Sequence, residues 1–530
     1  MTRSSNIAIL ILPDNYSENG FYRSVGTGRG GLMILKEIRI MKRFMTLLLS
    51  LLFLTAGFSC ANGEAAVTNE ARQMIRAAFE NLQIEAFKDK ARIADVTEQE
   101  WELSSEFPLF TIEYNGQKMN CLMTVVGDPD ENGLYPLYIT LHGGGGGEGA
   151  EQENMSQWLT MFEYYMEGVS SGIYVACRGM KDEWNMHFLD ESYAMYDRLI
   201  EDMILLCAAD PNRVYLLGFS AGGDGVYNIA PRMADRFAAV NMSSGHPNAV
   251  SLLNAANLPF QIQVGIRDFY NETAMRSVRG AEFEKVMNDW REKYGFGFEH
   301  RILVHVPHGH NYDDTSAPEA PGQVLKDPAA YADLAEKRDL LDEFLTIFSL
   351  YKGEADFSNV SYGNCEPGSP LYDALMKYIT EDLGLEIETV DASAVNYVSR
   401  FTRNPCPDHL LWDLSTRASG RSVDSYYWLR ADFSVNQGLI TAEFDPNENA
   451  FTLTPSADVN GSFSVLINPD MVDLDRPVLF HTPAGTVEKQ ITPDPDVAVQ
   501  SVAETGDRYL AWVQEITWEQ LMADCSSGAD

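Results

Sequence analysis

Several patterns typical of common binding proteins are missing from this chain. Lys and Arg together number 39 against 77 Asp and Glu, which gives a formal net charge of -38. A polyanion of this kind repels phosphate backbones, so we expect no nucleic-acid partner. The seven cysteines contain no Cys-x-x-Cys spacing, so the sequence indicates neither a zinc site nor a redox motif. No internal repeat and no coiled-coil pattern is found.

The apolar run near the N-terminus is too short to span a membrane comfortably. It covers residues 44–56 and follows the basic pair Lys42 and Arg43, an order typical of a signal peptide. Since signal peptides begin a chain, we expect Met41 to be the true start and residues 1–62 to comprise an upstream extension and the signal peptide. The alternative is a genuine long N-terminal extension with an internal anchor.

Cys60 follows the apolar run directly and resembles the cysteine of a bacterial lipoprotein box. Gly57 stands where that pattern usually has leucine, so ordinary cleavage after Ala61 or near Ala65 is the alternative. The sequence therefore predicts an exported protein that is periplasmic, extracellular or anchored at the cell surface. Lipid on Cys60 is the only membrane attachment that we expect.

The other six cysteines fall into two kinds of surroundings. Cys121, Cys177 and Cys207 lie in apolar segments, where we expect buried thiols. Cys365 and Cys406 lie in polar, proline-containing stretches, where an exported protein could pair them as a disulfide.

Strand-like and helix-like runs alternate from about residue 105 to residue 306. This alternation predicts an α/β fold with about eight mostly parallel strands, helices on both faces and antiparallel pairing of the first strands. We assign it to a catalytic domain of residues 63–350. The predicted strands are Leu109–Tyr114, Asn120–Val126, Leu134–His142, Ile173–Cys177, Arg213–Gly218, Ala238–Met242, Phe260–Gly265 and Arg301–Val306.

The composition and the apolar pattern of the sequence change after residue 350. Residues 351–398 are predicted to be a linker with one helix, because they combine a Gly/Pro/Asn-rich stretch with an amphipathic run. Short alternating runs separated by turns then predict a small antiparallel β-sandwich over residues 399–530. Its residues Trp412 and Trp428 are expected in the core rather than on a sugar-binding surface.

Two Gly-x-Ser-x-Gly matches compete as the site of a nucleophilic serine. The first, Gly218–Gly222, lies between a predicted strand and a predicted helix, which is the context of a nucleophile elbow. The second, Gly168–Gly172, lies between a helix and a strand, the reverse order. We therefore predict Ser220 as the nucleophile and assign Ser170 to an ordinary loop.

Five consecutive glycines follow His142 at the end of a predicted strand. Backbone N–H groups can approach a developing oxyanion closely where side chains are absent. We predict the N–H groups of Gly144, Gly145 and Ala221 as an oxyanion hole. A phosphate-binding loop is the alternative, but the Gly-Lys-Ser/Thr of that motif is missing.

The acid and the base are sought after the later strands. Asp268 follows the predicted strand Phe260–Gly265, at the edge where sites of parallel sheets lie. Of the histidines near the last strand, His305 lies within it and is expected to be structural. His308 and His310 both follow it, and we prefer His310 because Gly309 frees the backbone before it.

The order Ser220, Asp268, His310 and the motifs LHGGGG, GFSAGGDG, VGIRD and HGHN together resemble the α/β-hydrolase superfamily. Within it, the chain is similar to esterases of the polyhydroxybutyrate-depolymerase and feruloyl-esterase kind. The resemblance covers residues 105–350 and implies Ser220 as nucleophile, His310 as base and Asp268 as acid, with no cofactor.

A metal site is the rival interpretation of the segment HGHNYDD. It resembles the H-x-H-x-D-H motif of metallo-β-lactamase-like hydrolases, but the last histidine is missing and Asp313 stands one residue late. Zinc needs three or four ligands, and the remaining histidines supply no second cluster. We therefore predict no metal.

The segment 177–188 also follows a strand on the expected site edge. Its residues Arg178, Asp182, Trp184 and Asn185 are predicted to line a substrate pocket, the alternative being a surface loop. The chain is thus predicted to be an exported serine hydrolase that cleaves small-molecule or polymer-linked carboxylic esters. Alternatives are a prolyl-oligopeptidase-type peptidase and a glycan-binding protein, using the C-terminal domain, with an inert hydrolase fold.

Overall fold

A computed structural model of the protein describes residues 66–96, 109–269, 275–315, 321–335, 339–351, 365 and 367–527. The predicted signal segment, including Met41 and Cys60, lies outside these ranges. Across the ranges given, no helix is both long enough and apolar enough to cross a membrane.

A ten-stranded mixed sheet forms the centre of the molecule, in the order β1-β2-β4-β3-β5-β6-β7-β8-β9-β10. The six strands β3 to β8 run parallel to one another. The pairs β1–β2, β2–β4, β8–β9 and β9–β10 are antiparallel. The strands are β1 (Leu109–Tyr114), β2 (Gln117–Val126), β3 (Tyr135–Leu141), β4 (Gly172–Cys177), β5 (Ala209–Phe219), β6 (Ala239–Ser243), β7 (Phe260–Gly265), β8 (His300–His305), β9 (Pro321–Leu325) and β10 (Ile387–Asp391).

Helices cover both faces of this sheet, because alternate residues of each strand point to opposite sides. Leu137 and Ile139 belong to one apolar core, whereas Tyr138 between them belongs to a second core with Trp158 and Val395. The helices are α1 (Ala66–Ala86), α2 (Lys90–Val96), α3 (Ala150–Tyr164), α4 (Asp190–Cys207), α5 (Ala221–Ile229), α6 (Arg276–Tyr294), α7 (Pro328–Ala335), α8 (Asp339–Leu350), α9 (Pro370–Lys377) and α10 (Ala394–Val398).

The predicted α/β sheet is confirmed, but it has two more strands than the expected eight. Strands β9 and β10 were missed, and β10 lies within residues 351–398, which were predicted to be a linker and helix. The alternating residues of Ile387–Asp391 are mostly half-buried or exposed, as befits an edge strand, so they gave no strong apolar signal. The sheet therefore extends past the predicted end of the catalytic domain at residue 350.

The C-terminal region contains two smaller sheets rather than a purely antiparallel sandwich. One has the order β11-β14-β15-β17-β18 and includes a parallel pair, β15 with β17; the other has the order β12-β13-β16-β19. The elements are β11 (His409–Asp413), β12 (Ser425–Tyr426), β13 (Leu429–Arg430), β14 (Leu439–Asp445), β15 (Ala450–Pro455), β16 (Ser464–Ile467), β17 (Val478–Thr482), β18 (Gly485–Lys489), α11 (Pro495–Thr505), β19 (Gln514–Thr517) and α12 (Trp518–Ser527). Trp412 and Trp428 are buried, as predicted for core residues.

A buried network of charges joins the C-terminal region to the main sheet region. We call it the interdomain ion network. The Arg421 guanidinium lies 3.1 Å from Asp197 and 3.2 Å from Asp235, and Arg403 lies 2.7 Å from Asp507. Each of these side chains is at most 4% exposed. The sixth member, Arg236, approaches Asp197 at 3.3 Å and Asp507 at 3.9 Å, so three cations meet three anions.

Helix α1 makes a second connection between the two regions. The backbone N–H groups of Val67 and Thr68 donate to the carboxylate of Asp475 at 2.9 and 3.1 Å. Near the other end of the helix, Gln83 Nε2 donates to the carbonyl of Leu205 on α4, 3.2 Å away.

No disulfide is present among the cysteines that the structure describes. Cys121, Cys177 and Cys207 are buried, as expected for core residues. The suggested disulfide between Cys365 and Cys406 is not formed.

Candidate functional site

Ser220 sits on a sharp turn between β5 and α5. Its backbone has φ 57° and ψ -119°, a left-handed conformation that costs free energy for a residue with a side chain. A Cβ on Gly218 would collide with the carbonyl of Gly222, and a Cβ on Gly222 would collide with the carbonyl of Leu141. The motif therefore needs both glycines here. By contrast, Ser170 is exposed in the loop that precedes β4.

The parallel strands bring three predicted residues to one edge of the sheet. His310 Nε2 lies 2.9 Å from Ser220 Oγ, and His310 Nδ1 lies 2.8 Å from Asp268 Oδ2. Asp268 follows β7 and is fully buried, while His310 follows β8 and is 3% exposed. With Nδ1 protonated toward the carboxylate, Nε2 is left to accept the serine proton.

The other two histidines near β8 have different surroundings. His305 stacks on Tyr312 with ring centroids 4.1 Å apart, and its Nε2 lies 2.8 Å from Gln263 Oε1. His308 is half-buried, and burial together with the nearby Arg267 cation lowers its pKa to about 4. Of the two candidates that follow β8, His308 and His310, the structure records His310 at hydrogen-bonding distance of Ser220.

Two of the predicted oxyanion-hole positions, Ala221 and Gly144, have backbone features that bear on this prediction. Ala221 is the first residue of α5, so its N–H has no intrahelical acceptor and lies at the positive end of the helix. Gly144 has φ 128°, which favours glycine, and a Cβ there would collide with Asn154 Oδ1. Gly143 was not predicted, but a Cβ on it would lie 3.1 Å from Ser220 Cβ, so its backbone adjoins Ser220.

The structure corrects the prediction that the Gly145 N–H belongs to the oxyanion hole. Its N–H donates to Asn154 Oδ1 at 2.9 Å, and its carbonyl accepts from Asn154 Nδ2 at the same distance. The N–H is therefore engaged within the protein and is not available to an oxyanion. Asn154 lies on α3, is fully buried and fixes the glycine loop from behind. Nothing in its own sequence surroundings marked it for this role.

Two buried histidines underlie the start of the glycine loop. His142 Nε2 accepts from the N–H of Gly179 at 3.0 Å, and its Nδ1 lies 2.6 Å from the carbonyl of Gly143. His187 Nε2 lies 2.9 Å from the carbonyl of His142. Burial lowers the pKa of His142 well below its usual value and that of His187 to about 4. Both rings are therefore neutral near pH 7 and act as fixed hydrogen-bonding groups.

The predicted pocket residues separate into two groups. Arg178 and Asp182 form an ion pair, and Asp182 also accepts from Asn154 Nδ2 at 2.9 Å, so both are engaged in supporting the glycine loop. Trp184 is 52% exposed and packs edge-on against Phe188 with centroids 5.5 Å apart. Asn185 is half-buried behind it. Of the four, Trp184 offers a free surface beside the glycine loop.

Sequence reasoning missed a buried carboxylate with three hydroxyl partners next to the site. Asp314 is fully buried and accepts hydrogen bonds from the hydroxyls of Tyr164 at 2.9 Å, Tyr165 at 3.2 Å and Ser243. Burial raises the pKa of Asp314 to about 6 despite these donors. Ser243 also accepts the N–H of Ser220 through its carbonyl at 2.9 Å. The hydrogen bonds of Asp314 therefore link the chain after His310 to β6, the strand beside Ser220.

The metal interpretation of HGHNYDD lacks converging ligands. His310 has Ser220 and Asp268 as neighbours of its two nitrogens, and Asp313 accepts from the backbone N–H and hydroxyl of Thr315 at 3.0 Å. Across the part of the chain that the structure describes, no three His, Cys, Asp or Glu side chains are grouped to hold a metal ion.

Comparison with solved structures gives partial alignments at low sequence identity and low TM-score. No protein-family profile and no curated protein matches the chain. A thermostable esterase is 16% identical with a TM-score of 0.30, covering 45% of this chain and 62% of its own, less than two thirds of that protein. An acylaminoacyl peptidase is 14% identical with a TM-score of 0.28, covering 51% and 44%. An acetyl xylan esterase from Aspergillus awamori is 13% identical with a TM-score of 0.24, covering 36% and 81%. These alignments single out no particular esterase or peptidase family.

Proposed function

We propose that the protein is a serine hydrolase that cleaves carboxylic esters through an acyl-enzyme. The observation that carries this proposal is the continuous hydrogen-bonded series from Ser220 Oγ through His310 to Asp268, with distances of 2.9 and 2.8 Å. A serine on a strained turn, an imidazole that contacts it and a buried carboxylate together form the arrangement that activates a serine.

In the first half of the reaction, Ser220 Oγ attacks the ester carbonyl carbon while His310 Nε2 takes the serine proton. The tetrahedral intermediate collapses when His310 returns this proton to the leaving alcohol oxygen. In the second half, water attacks the acyl carbon, His310 takes the water proton and returns it to Ser220, and the carboxylic acid leaves. Asp268 holds the imidazole and stabilises its charged form.

The negative charge on the carbonyl oxygen needs fixed donors. We assign this role to the N–H of Ala221 and to an N–H of the glycine loop at Gly143 or Gly144, because these groups adjoin Ser220 and are not bound to Asn154. Each such donor is worth about 10²–10³ in kcat in enzymes of this type. Asn154, Arg178 and Asp182 act indirectly by fixing the loop.

Trp184 is the substrate-contacting residue that we propose for the acyl or alcohol group. Its large half-exposed ring beside the glycine loop suits an apolar or aromatic group better than a charged one. Asn185, next to it, is proposed to orient the loop.

Covalent labelling tests the nucleophile. A fluorophosphonate probe should label the wild type and the matched Ser170→Ala variant, and should not label Ser220→Ala. Labelling that persists in Ser220→Ala would overturn the assignment. The wild-type protein that reacts with the probe would then be assayed on a panel of activated esters and aminoacyl amides. This panel would separate esterase from peptidase activity.

Export and glycan binding remain proposals that need their own tests. Mass spectrometry of the protein from its host should find a mature N-terminus between Cys60 and Ala66, with a lipid mass if Cys60 is modified. Peptides from residues 1–40 in the mature protein would contradict export by this signal. Retention of the Ser220→Ala variant on a polysaccharide matrix would support a glycan-binding role for the C-terminal region.

A further inference from the structure

Two cysteines face each other across neighbouring antiparallel strands of the main sheet. Cys121 on β2 and Cys177 on β4 are direct partners in the strand register. Their sulfur atoms lie 3.8 Å apart, and both side chains are fully buried. The pair stands apart from Cys207, whose sulfur has no sulfur partner among the described residues.

The register places the pair at the kind of site that a disulfide can bridge. The next pair along the ladder, Asn120 with Arg178, is hydrogen-bonded through the Arg178 N–H and the Asn120 carbonyl, 2.8 Å apart. Hydrogen-bonded and non-hydrogen-bonded pairs alternate in an antiparallel ladder, so Cys121 and Cys177 form a non-hydrogen-bonded pair. In such pairs the Cα atoms are about 4.5 Å apart, inside the range of about 4.4–6.8 Å seen for disulfides.

We propose that Cys121 and Cys177 form a disulfide when the chain folds in an oxidising compartment. Each thiol loses its proton and the two sulfurs together lose two electrons as the S–S bond forms. A disulfide oxidant such as oxidised glutathione takes the two electrons and two protons and becomes two thiols. A rotation of the side chains brings the sulfurs together without moving the strands.

The bond forms before the core closes around it. Burial raises the pKa of the Cys121 thiol, so the folded, reduced pair has little thiolate with which to attack an oxidant. During folding both thiols are open to solvent, and pairing of β2 with β4 aligns them. The bridge would join the strand that leads into Arg178 to the outer part of the sheet, across 56 positions of sequence.

Peptide mapping of the full-length chain tests the proposal directly. The protein is refolded from urea with a mixture of reduced and oxidised glutathione, unfolded again and treated with iodoacetamide without reductant. We expect a cross-linked peptide that contains Cys121 and Cys177, and alkylation of Cys207. Full alkylation of Cys121 and Cys177 before reduction would overturn the proposal, and so would a bridge from either one to another cysteine.

Variants extend the test to stability. Cys121→Ala and Cys177→Ala should each abolish the cross-linked peptide, while the matched Cys207→Ala variant should retain it. Reduction should lower the Tm of the oxidised wild type by roughly 5–10 °C, in keeping with a closed loop of this length. The same reductant should leave the Tm of Cys121→Ala unchanged, and an equal fall in that variant would contradict a stabilising bridge. The mapping on the wild type decides the matter even if a variant fails to fold.

Discussion

The candidate catalytic site and the interdomain ion network bury charged groups in different ways. At the site, one carboxylate, Asp268, faces one imidazole and the half-exposed Ser220. In the network, three guanidinium groups and three carboxylates neutralise one another out of contact with water.

The difference is between groups that can exchange a proton and groups that are held in one charge state. Burial alone would lower the pKa of Arg421, but Asp197 and Asp235 outweigh it and raise that pKa. Burial likewise opposes the charge of Asp507, yet Arg403 and Arg236 lower its pKa. Arg421 and Asp507 are thus held in their ionised forms by their partners. The candidate site instead places a histidine, the side chain type that exchanges protons near neutral pH, against Ser220.

Removing the base should have the largest effect. His310→Ala should lower kcat on an activated ester by about 10³-fold or more, because no other group can take the Ser220 proton. His308→Ala, the matched control two positions away, should cost less than about 10-fold. A larger loss in the His308 variant would reverse the two roles, and Tm should change little in either variant.

Breaking the interdomain ion network should affect stability and not chemistry. Arg421→Met leaves Asp197 and Asp235 buried without this partner, which should lower the free energy of unfolding by about 3–5 kcal/mol. The exposed control Arg476→Met removes an ion pair of 3.9 Å and should cost less than about 1 kcal/mol. Urea unfolding measures both, and kcat per folded molecule should stay at the wild-type value. Equal free energies of unfolding for Arg421→Met and Arg476→Met would show that the interdomain ion network does not stabilise the protein.

The neutral histidine under the glycine loop should make stability depend on pH. The pKa of His187 is lowered to about 4, so between the unfolded value of 6.5 and this value only the unfolded chain binds the proton. Stability from this residue is therefore complete above pH 6.5 and lost as pH falls toward 4. The free energy of unfolding that His187 contributes should fall by about 2 kcal/mol between pH 7 and pH 5.

Urea unfolding of His187→Gln at these two pH values isolates that contribution, since the amide keeps a donor for the His142 carbonyl but does not titrate. Between pH 7 and pH 5, the free energy of unfolding of the variant should fall by about 2 kcal/mol less than that of the wild type. Identical pH dependence in the two proteins would show that His187 is protonated in the folded state as readily as in the unfolded one.

Loosening the glycine loop should have the smallest effect. Asn154→Ala removes the side chain that engages both polar groups of Gly145, and kcat should fall about 10-fold, less than loss of an oxyanion donor itself. Gln152→Ala, an exposed change on the same helix, is the control and should leave kcat unchanged. A fall in stability with unchanged kcat would make Asn154 a purely structural residue.

The features that the sequence predicted well are those encoded by local patterns. The predicted strand Leu109–Tyr114 is found at those residues, because Phe110, Ile112 and Tyr114 alternate with the polar Thr111 and Glu113. The strand–serine–helix order around Ser220 separated it from Ser170, and chain order brought Asp268 and His310 to the same edge of the sheet. These are consequences of parallel topology that short motifs are enough to reveal.

The features that were missed depend on contacts between distant segments. Asn154 lies on a helix with no motif, and its role exists only because Gly145 folds against it. The surroundings of Asp314 arise only because the fold brings Tyr164, Tyr165 and Ser243 around it. The edge strand β10 has little apolar signal, and Gly145 could be distinguished from its glycine neighbours only by where its N–H points.

Helix α1 has a consequence for the order in which the molecule can be completed. Its first turn is held by Asp475, a residue synthesised about four hundred positions later. A ribosome therefore releases the first turn of this helix long before Asp475 exists, and the N–H groups of Val67 and Thr68 wait for that acceptor until nearly the whole chain has been made. Completion of this contact between the two regions is thus a late event in biosynthesis.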